Sequence, residues 1–262
     1  PASWRTTEPD AKGNINGWSA QAQLLPFLEL ENLEEKINFD LSYKLAAPLP
    51  TSNGGTIPIS AVRVSMYQCP SEISDTVRYK NGVPVHYPLN YAVNQGIWLT
   101  FSPANGQGGV GAFRPVQPTR HADMVDGTSN TLGLAEVKAY TPYYRNAGLV
   151  NPAIPIGPGA ICNLGGDFKV NTGHTEWVDG RVHQTGFTTL FAPNTEIRCS
   201  ETVDGVTSDY DADWTNMQEG KSGSVVTYAA VTSRSYHSGG VQVQMMDGST
   251  QFVAENINLR VW

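Results

Sequence analysis

The chain has 262 residues, a formal net charge of -7 and only 16% charged residues, with 26 glycines and 17 prolines. That length can bury a sizeable core, and the glycine and proline content suits a strand- and loop-rich protein better than a helical bundle. The acidic balance argues against nucleic acid or an anionic membrane surface as the main partner, and no run of about 18 apolar residues offers a membrane-spanning helix.

Residues 1–17 are polar and broken by Gly13 and Gly17, and read as a loop. Ser19 then caps a helical segment in which Ala20, Leu24 and Leu28 share a face. Pro26 must interrupt it, so two short pieces are expected, with Leu30, Leu33 and Ile37 continuing the apolar stripe. Pro48, Pro50 and Pro58 with Asn53-Gly54-Gly55 describe a loop, and the alternation of Val62, Val64 and Met66 predicts a half-buried strand ending at Cys69-Pro70. A further strand is expected near Leu89 to Val93. The glycine-rich stretch from Asn105 to Gly111 lacks the Gly-Lys-Ser/Thr of a phosphate loop and reads as a mobile connection.

Asp126-Gly127-Thr128-Ser129-Asn130 is a turn leading into a strand over 131–137. Asp123, Asp126 and Asn130 have oxygens suited to a hard cation, although turn chemistry explains them without one. The prolines and glycines of 141–160 mark a boundary, so 141–205 reads as an insertion within a single domain spanning 1–262. Trp177 to Val182 carries a second strand, Asp-Gly turn, strand pattern. His174, Glu176 and His183 suit zinc by residue type, but no H-E-x-x-H helix presents them together, which favours a structural role. Asp209, Asp211 and Asp213 have the spacing that opens a calcium loop, yet Trp214 and Gly220 occupy the positions where such a loop needs Gly and Glu. The alternative is a solvated acidic loop. Val225 to Val231 is a short apolar strand.

The last element is a hairpin over Ser235 to Ala254. Asp247-Gly248 reads as a two-residue type I′ turn, which would pair Met245 with Thr250, Val243 with Phe252 and Val241 with Ala254 on the apolar face, and Gln244 with Gln251 on the other. From its residues, then, the chain is α+β and mostly β, with short N-terminal helices packed on an antiparallel sheet. An enzymatic reading would join His237 to Asp247 or Asp209 and to Ser233, Ser235 or Ser238, but no G-x-S-x-G elbow supports it. Holding the bend at Gly239-Gly240 is the simpler role for His237. Trp98, Trp177, Trp214 and Trp262, with Tyr140, Tyr143, Tyr144 and Tyr210, would suit sugar rings if they were exposed, and would otherwise be core.

Several motifs recur in a telling order: Trp18 with Leu24 to Glu29, Cys69-Pro70-Ser71-Glu72, Asn90-Tyr91-Ala92, Asp126 to Thr131 with Glu136, Gly173 to Gly180, and His237 followed by nine residues and Asp247-Gly248. This series resembles a bacterial prepilin-type, pseudopilin-like family of unknown function, whose signature is the His, nine residues and Asp-Gly near the C-terminus. The resemblance implies a pilin-like head and a non-catalytic subunit of an extracytoplasmic type IV pilus-like or type II secretion-like filament. Its partners would be copies of itself and related subunits, joined through an N-terminal helix that this sequence does not contain, and that helix would make its membrane contact. A glycan-binding or adhesive surface protein is the alternative. Within the resemblance, His237, Asp247, Gly248, Asp126 and Asn130 are signature positions without an assigned chemical role, and calcium at Asp209, Asp211 and Asp213 gains some support. An extracytoplasmic setting also makes Cys162–Cys199 the preferred disulfide, three buried thiols being the other possibility.

Overall fold

The computed structural model describes residues 17–262 and the backbone of Trp4–Arg5, so most of the 1–17 loop expected from the sequence lies outside the described residues. Among them, no helix is long and apolar enough to cross a membrane. The protein is mostly β with a few short helices.

Ser19 is an N-cap: its Oγ accepts from the Ala22 amide at 3.0 Å and donates to the Trp177 carbonyl at 2.6 Å. The helix Ala20–Leu24 passes directly into a 3-10 turn, Leu25–Leu28, with Pro26 in its first turn, where the missing amide costs no hydrogen bond. The buried face is Trp18, Ala22 and Leu25, while Leu24 and Leu28 are only half-buried. Further on, the expected strand over Val62 to Met66 is absent. Two 3-10 turns, Ile59–Ala61 and Ser65–Tyr67, take its place, and only Val64 of the alternating trio is buried. Nor does Trp177 to Val182 form a hairpin, because Asp179 turns back onto Glu176 and Val182–Thr185 is a helical turn.

Two sheets carry the fold. One runs Gly186–Phe187, Tyr91–Asn94, Leu132–Glu136, Gly240–Met245, Thr250–Ala254, antiparallel except for the first pair. The other runs Asp167–Gly173, Thr141–Arg145, Asp213–Thr215, Thr227–Ala230, Leu99–Ser102, Gln107–Gly108. Segment 141–205 thus supplies strands to both. Ala92, Ala135, Val137, Phe187, Val241 and Val243 form one buried cluster, and each of the larger side chains contributes about 1.5–3 kcal/mol by leaving water. A second cluster stacks Trp98 on Trp214, with ring centroids 5.4 Å apart. The glycine-rich connection is packed: a Cβ on Gly109 would meet the Leu99 carbonyl oxygen at 2.1 Å, and one on Gly111 the Gly96 amide at 2.3 Å.

The C-terminal hairpin exists, but one residue out of the expected register. Val243 faces Gln251, Gln242 faces Phe252 and Val241 faces Val253. The loop is three residues, Met246-Asp247-Gly248, closed by Gly248 N–H to Met245 O and Met245 N–H to Ser249 O, with Gly248 at φ +87°. Met246 is drawn out of the ladder because its amide donates to the Thr131 carbonyl of the neighbouring segment. Phe252 therefore lies on the outer face, 49% exposed. The two-residue Asp-Gly turn occurs elsewhere, at Asp204-Gly205, where φ is +51° and +81° and Val203 pairs with Val206 in the ribbon Arg198–Val203/Val206–Asp211.

Candidate functional site

The sequence landmarks converge at one end of the first sheet. Glu136 ends the central strand Leu132–Glu136 and is 2% exposed. Its Oε2 accepts from the Gln242 amide at 2.7 Å, and its Oε1 faces the Cys69 Sγ at 3.4 Å and the His237 Nε2 at 3.1 Å. Cys69 Sγ and His237 Nε2 are 3.6 Å apart. Among the described residues this is the group of three Cys, His, Asp or Glu side chains whose donor atoms lie within 4.8 Å of one another.

Each member is positioned by its neighbours. The Cys69 amide donates to Asn90 Oδ1, and Asn90 Nδ2 donates to Glu72 Oε2 and to the Val137 carbonyl, so the turn after Tyr67 is pinned to the sheet. The His237 amide donates to Ser235 Oγ, which itself donates to the Gly240 carbonyl, and this holds the bend before the hairpin. Gly240 has no room for a side chain, since a Cβ would meet the Val253 carbonyl oxygen at 2.1 Å. The His237 side chain is 34% exposed and gives the cluster its opening to solvent. Burial pushes the Cys69 thiol up; the Ser71 backbone opposes this and the Glu136 carboxylate reinforces it. Burial likewise pushes the nearby Tyr91 hydroxyl up to about 12. A thiol raised in this way is largely protonated at neutral pH.

The other sequence-chosen residues lie apart. Asp247 and Gly248 sit at the exposed hairpin tip, where Asp247 Oδ1 accepts from the Ser249 amide and hydroxyl; His237 pairs with Glu136 instead. Asp126 and Asn130 occupy an exposed turn closed by Asn130 Nδ2 to the Asp126 carbonyl. Asp209 bonds Ser200 across the ribbon, whereas Asp211 and Asp213 grip Arg234 from two sides, at 2.9 and 2.5 Å. Among the described residues these three carboxylates are not gathered into a group of donor atoms within 4.8 Å of one another, and Asp211 and Asp213 hold a guanidinium between them. Arg234 was not distinguished in the sequence because its partners stand 21 and 23 residues away.

His174 and His183 are buried, the first against the Gln184 carbonyl and Asp213, the second against Gln218, while Glu176 binds Arg78. Cys162 and Cys199 are disulfide-bonded with their Cα atoms 5.4 Å apart, and Cys69 is free. Trp98, Trp177, Trp214, Tyr143 and Tyr144 are buried core, and Trp262, Tyr140 and Tyr210 are half-buried.

A family model described as "Protein of unknown function (DUF1559)", labelled SBP_bac_10, matches residues 1–260. The chain belongs to this family. No curated protein and no solved structure matches it.

Proposed function

We propose that this chain is the head of a non-catalytic subunit of an extracytoplasmic filament, of the type IV pilus-like or type II secretion pseudopilin-like kind, with copies of itself and related subunits as partners. The observation that carries this reading is that the landmark residues form an internal brace: Cys69, Glu72, Asn90, Glu136, Ser235 and His237 tie four distant segments together beside a cavity of about 10 Å³, too small for an organic substrate. A brace suits a subunit that must bear load. The Cys162–Cys199 disulfide favours an oxidising compartment, and the family label points toward an extracellular binding protein.

The test is cross-linking of intact producing cells followed by fractionation. A ladder of multimers containing this chain in the envelope or sheared-surface fraction is expected. Recovery as a cytosolic protein, or as an uncross-linked monomer at the surface, overturns the reading. A glycan array separates it from the adhesive alternative.

A further inference from the structure

We infer that Cys69, Glu136 and His237 form a zinc site with one open coordination position. The first argument is geometric. Zinc bonds of about 2.3 Å to sulfur and about 2.0–2.1 Å to nitrogen and oxygen, set at tetrahedral angles, give donor-to-donor edges of about 3.6 Å for S–N, about 3.5 Å for S–O and about 3.3 Å for N–O. The observed edges are 3.6, 3.4 and 3.1 Å. One face of the tetrahedron is thus already assembled to within about 0.2 Å of ideal values.

The second argument is charge. Glu136 is a carboxylate 2% exposed to solvent, and among the described residues its ion-pair partner is His237, with no lysine or arginine paired to it. A buried carboxylate normally demands a cation. Zinc supplies it: the thiol gives up its proton to solvent on binding, and the thiolate and carboxylate together neutralise the two charges of the ion while the imidazole binds neutral. Thiolate, imidazole and carboxylate in one set suit zinc better than the all-oxygen cations.

The third argument is support and access. Glu136 Oε2 is fixed by the Gln242 amide and the Cys69 backbone by Asn90, the kind of outer contacts that orient metal ligands. The adjoining cavity of about 10 Å³, lined by Cys69 and Glu136, has room for one water-sized guest, and the partly exposed His237 opens the cluster to solvent. The fourth position is then open to water or to a donor from a partner.

The experiment is titration of metal-stripped protein, with its disulfide intact, first with cobalt(II) as a spectroscopic stand-in and then with zinc. Because Cys162 and Cys199 are bonded to each other, a sulfur-to-cobalt charge-transfer band can come only from Cys69. One equivalent of cobalt should produce that band together with tetrahedral visible bands, and one equivalent of zinc should bleach them. Cys69→Ser should abolish the charge-transfer band. His237→Gln, at a partly exposed position that leaves the core intact, should weaken zinc binding at least about 10-fold while circular dichroism stays unchanged. Absence of the thiolate band in folded wild-type protein, or equal zinc affinity in wild type and His237→Gln, overturns the site and leaves a hydrogen-bonded brace.

Discussion

Arg234 and His237 stand three residues apart on one connecting segment, yet each enters a carboxylate cluster of a different kind. Arg234, its side chain 3% exposed, fills the space between Asp211 and Asp213, so that cluster carries its own cation. His237 reaches Glu136 beside a neutral thiol, and that cluster has no guanidinium or ammonium paired to it among the described residues. Two of the three carboxylates in the acidic run, Asp211 and Asp213, hold a cation that the protein itself supplies. The carboxylate whose ion-pair partner is an imidazole is a single residue at the end of a strand.

The largest test of this difference is Arg234→Met. Removing the guanidinium strands two carboxylates, and a cost of about 3–5 kcal/mol is expected in urea unfolding. Glu136→Gln in metal-free protein should cost no more than about 1 kcal/mol, since the amide oxygen still accepts from Gln242 and the His237 imidazole that loses its carboxylate partner is partly exposed to solvent. Equal costs for the two variants would break the comparison.

The closed cluster also depends on its scaffold. Asp211 pairs with Arg198 on the ribbon that Cys199 ties to Cys162, closing a sequence separation of 37 residues. Replacing both cysteines by serine should cost about 2–4 kcal/mol, measured by denaturant midpoint at constant slope.

Acid sharpens the same contrast. Burial would raise the Asp213 carboxyl, but the Arg234 guanidinium and the neighbouring His174 imidazole outweigh it and hold it below the ordinary carboxylate range. Its folded value lies below its unfolded value, so its contribution is present above about pH 4 and is lost as pH falls through the folded value. Thermal melts below pH 4 should show that loss, and Asp213→Asn should flatten it. The smallest effect concerns the hairpin. Phe252→Ser should change stability by no more than about 1 kcal/mol, whereas the register with Phe252 in the core would make such a truncation cost about 3–5 kcal/mol.

Local chemistry was the most legible part of the sequence. Ser19 as a cap, the break at Pro26, the strand near Leu89 to Val93 and the strand leading to Glu136 follow from capping, proline geometry and alternation. Alternation misled at Val62, Val64 and Met66: Val62 and Val64 flank two 3-10 turns and only Met66 lies within one, while the Tyr67 carbonyl and the Cys69 amide are bonded to Asn90 beside the sheet. Turn residues fixed that a hairpin forms at Asp247-Gly248 but not its loop length. The dipeptide makes a two-residue turn at Asp204-Gly205, a free ribbon, and part of a three-residue loop at Asp247-Gly248, where Thr131 captures the Met246 amide.

The candidate site was half legible. Cys69, Asn90, Glu136 and His237 all fall within motifs that the sequence presents in order, yet nothing in their spacing says that they meet. The sequence by itself determined the short capped helices, the turn positions, the mostly β character and the order of the landmarks, because these depend on contacts within a few residues. Only the tertiary structure decided which acid meets which cation. That choice is made across separations of 21 to 168 residues, where pairing depends on which strands lie side by side and which charges burial leaves in need of a partner.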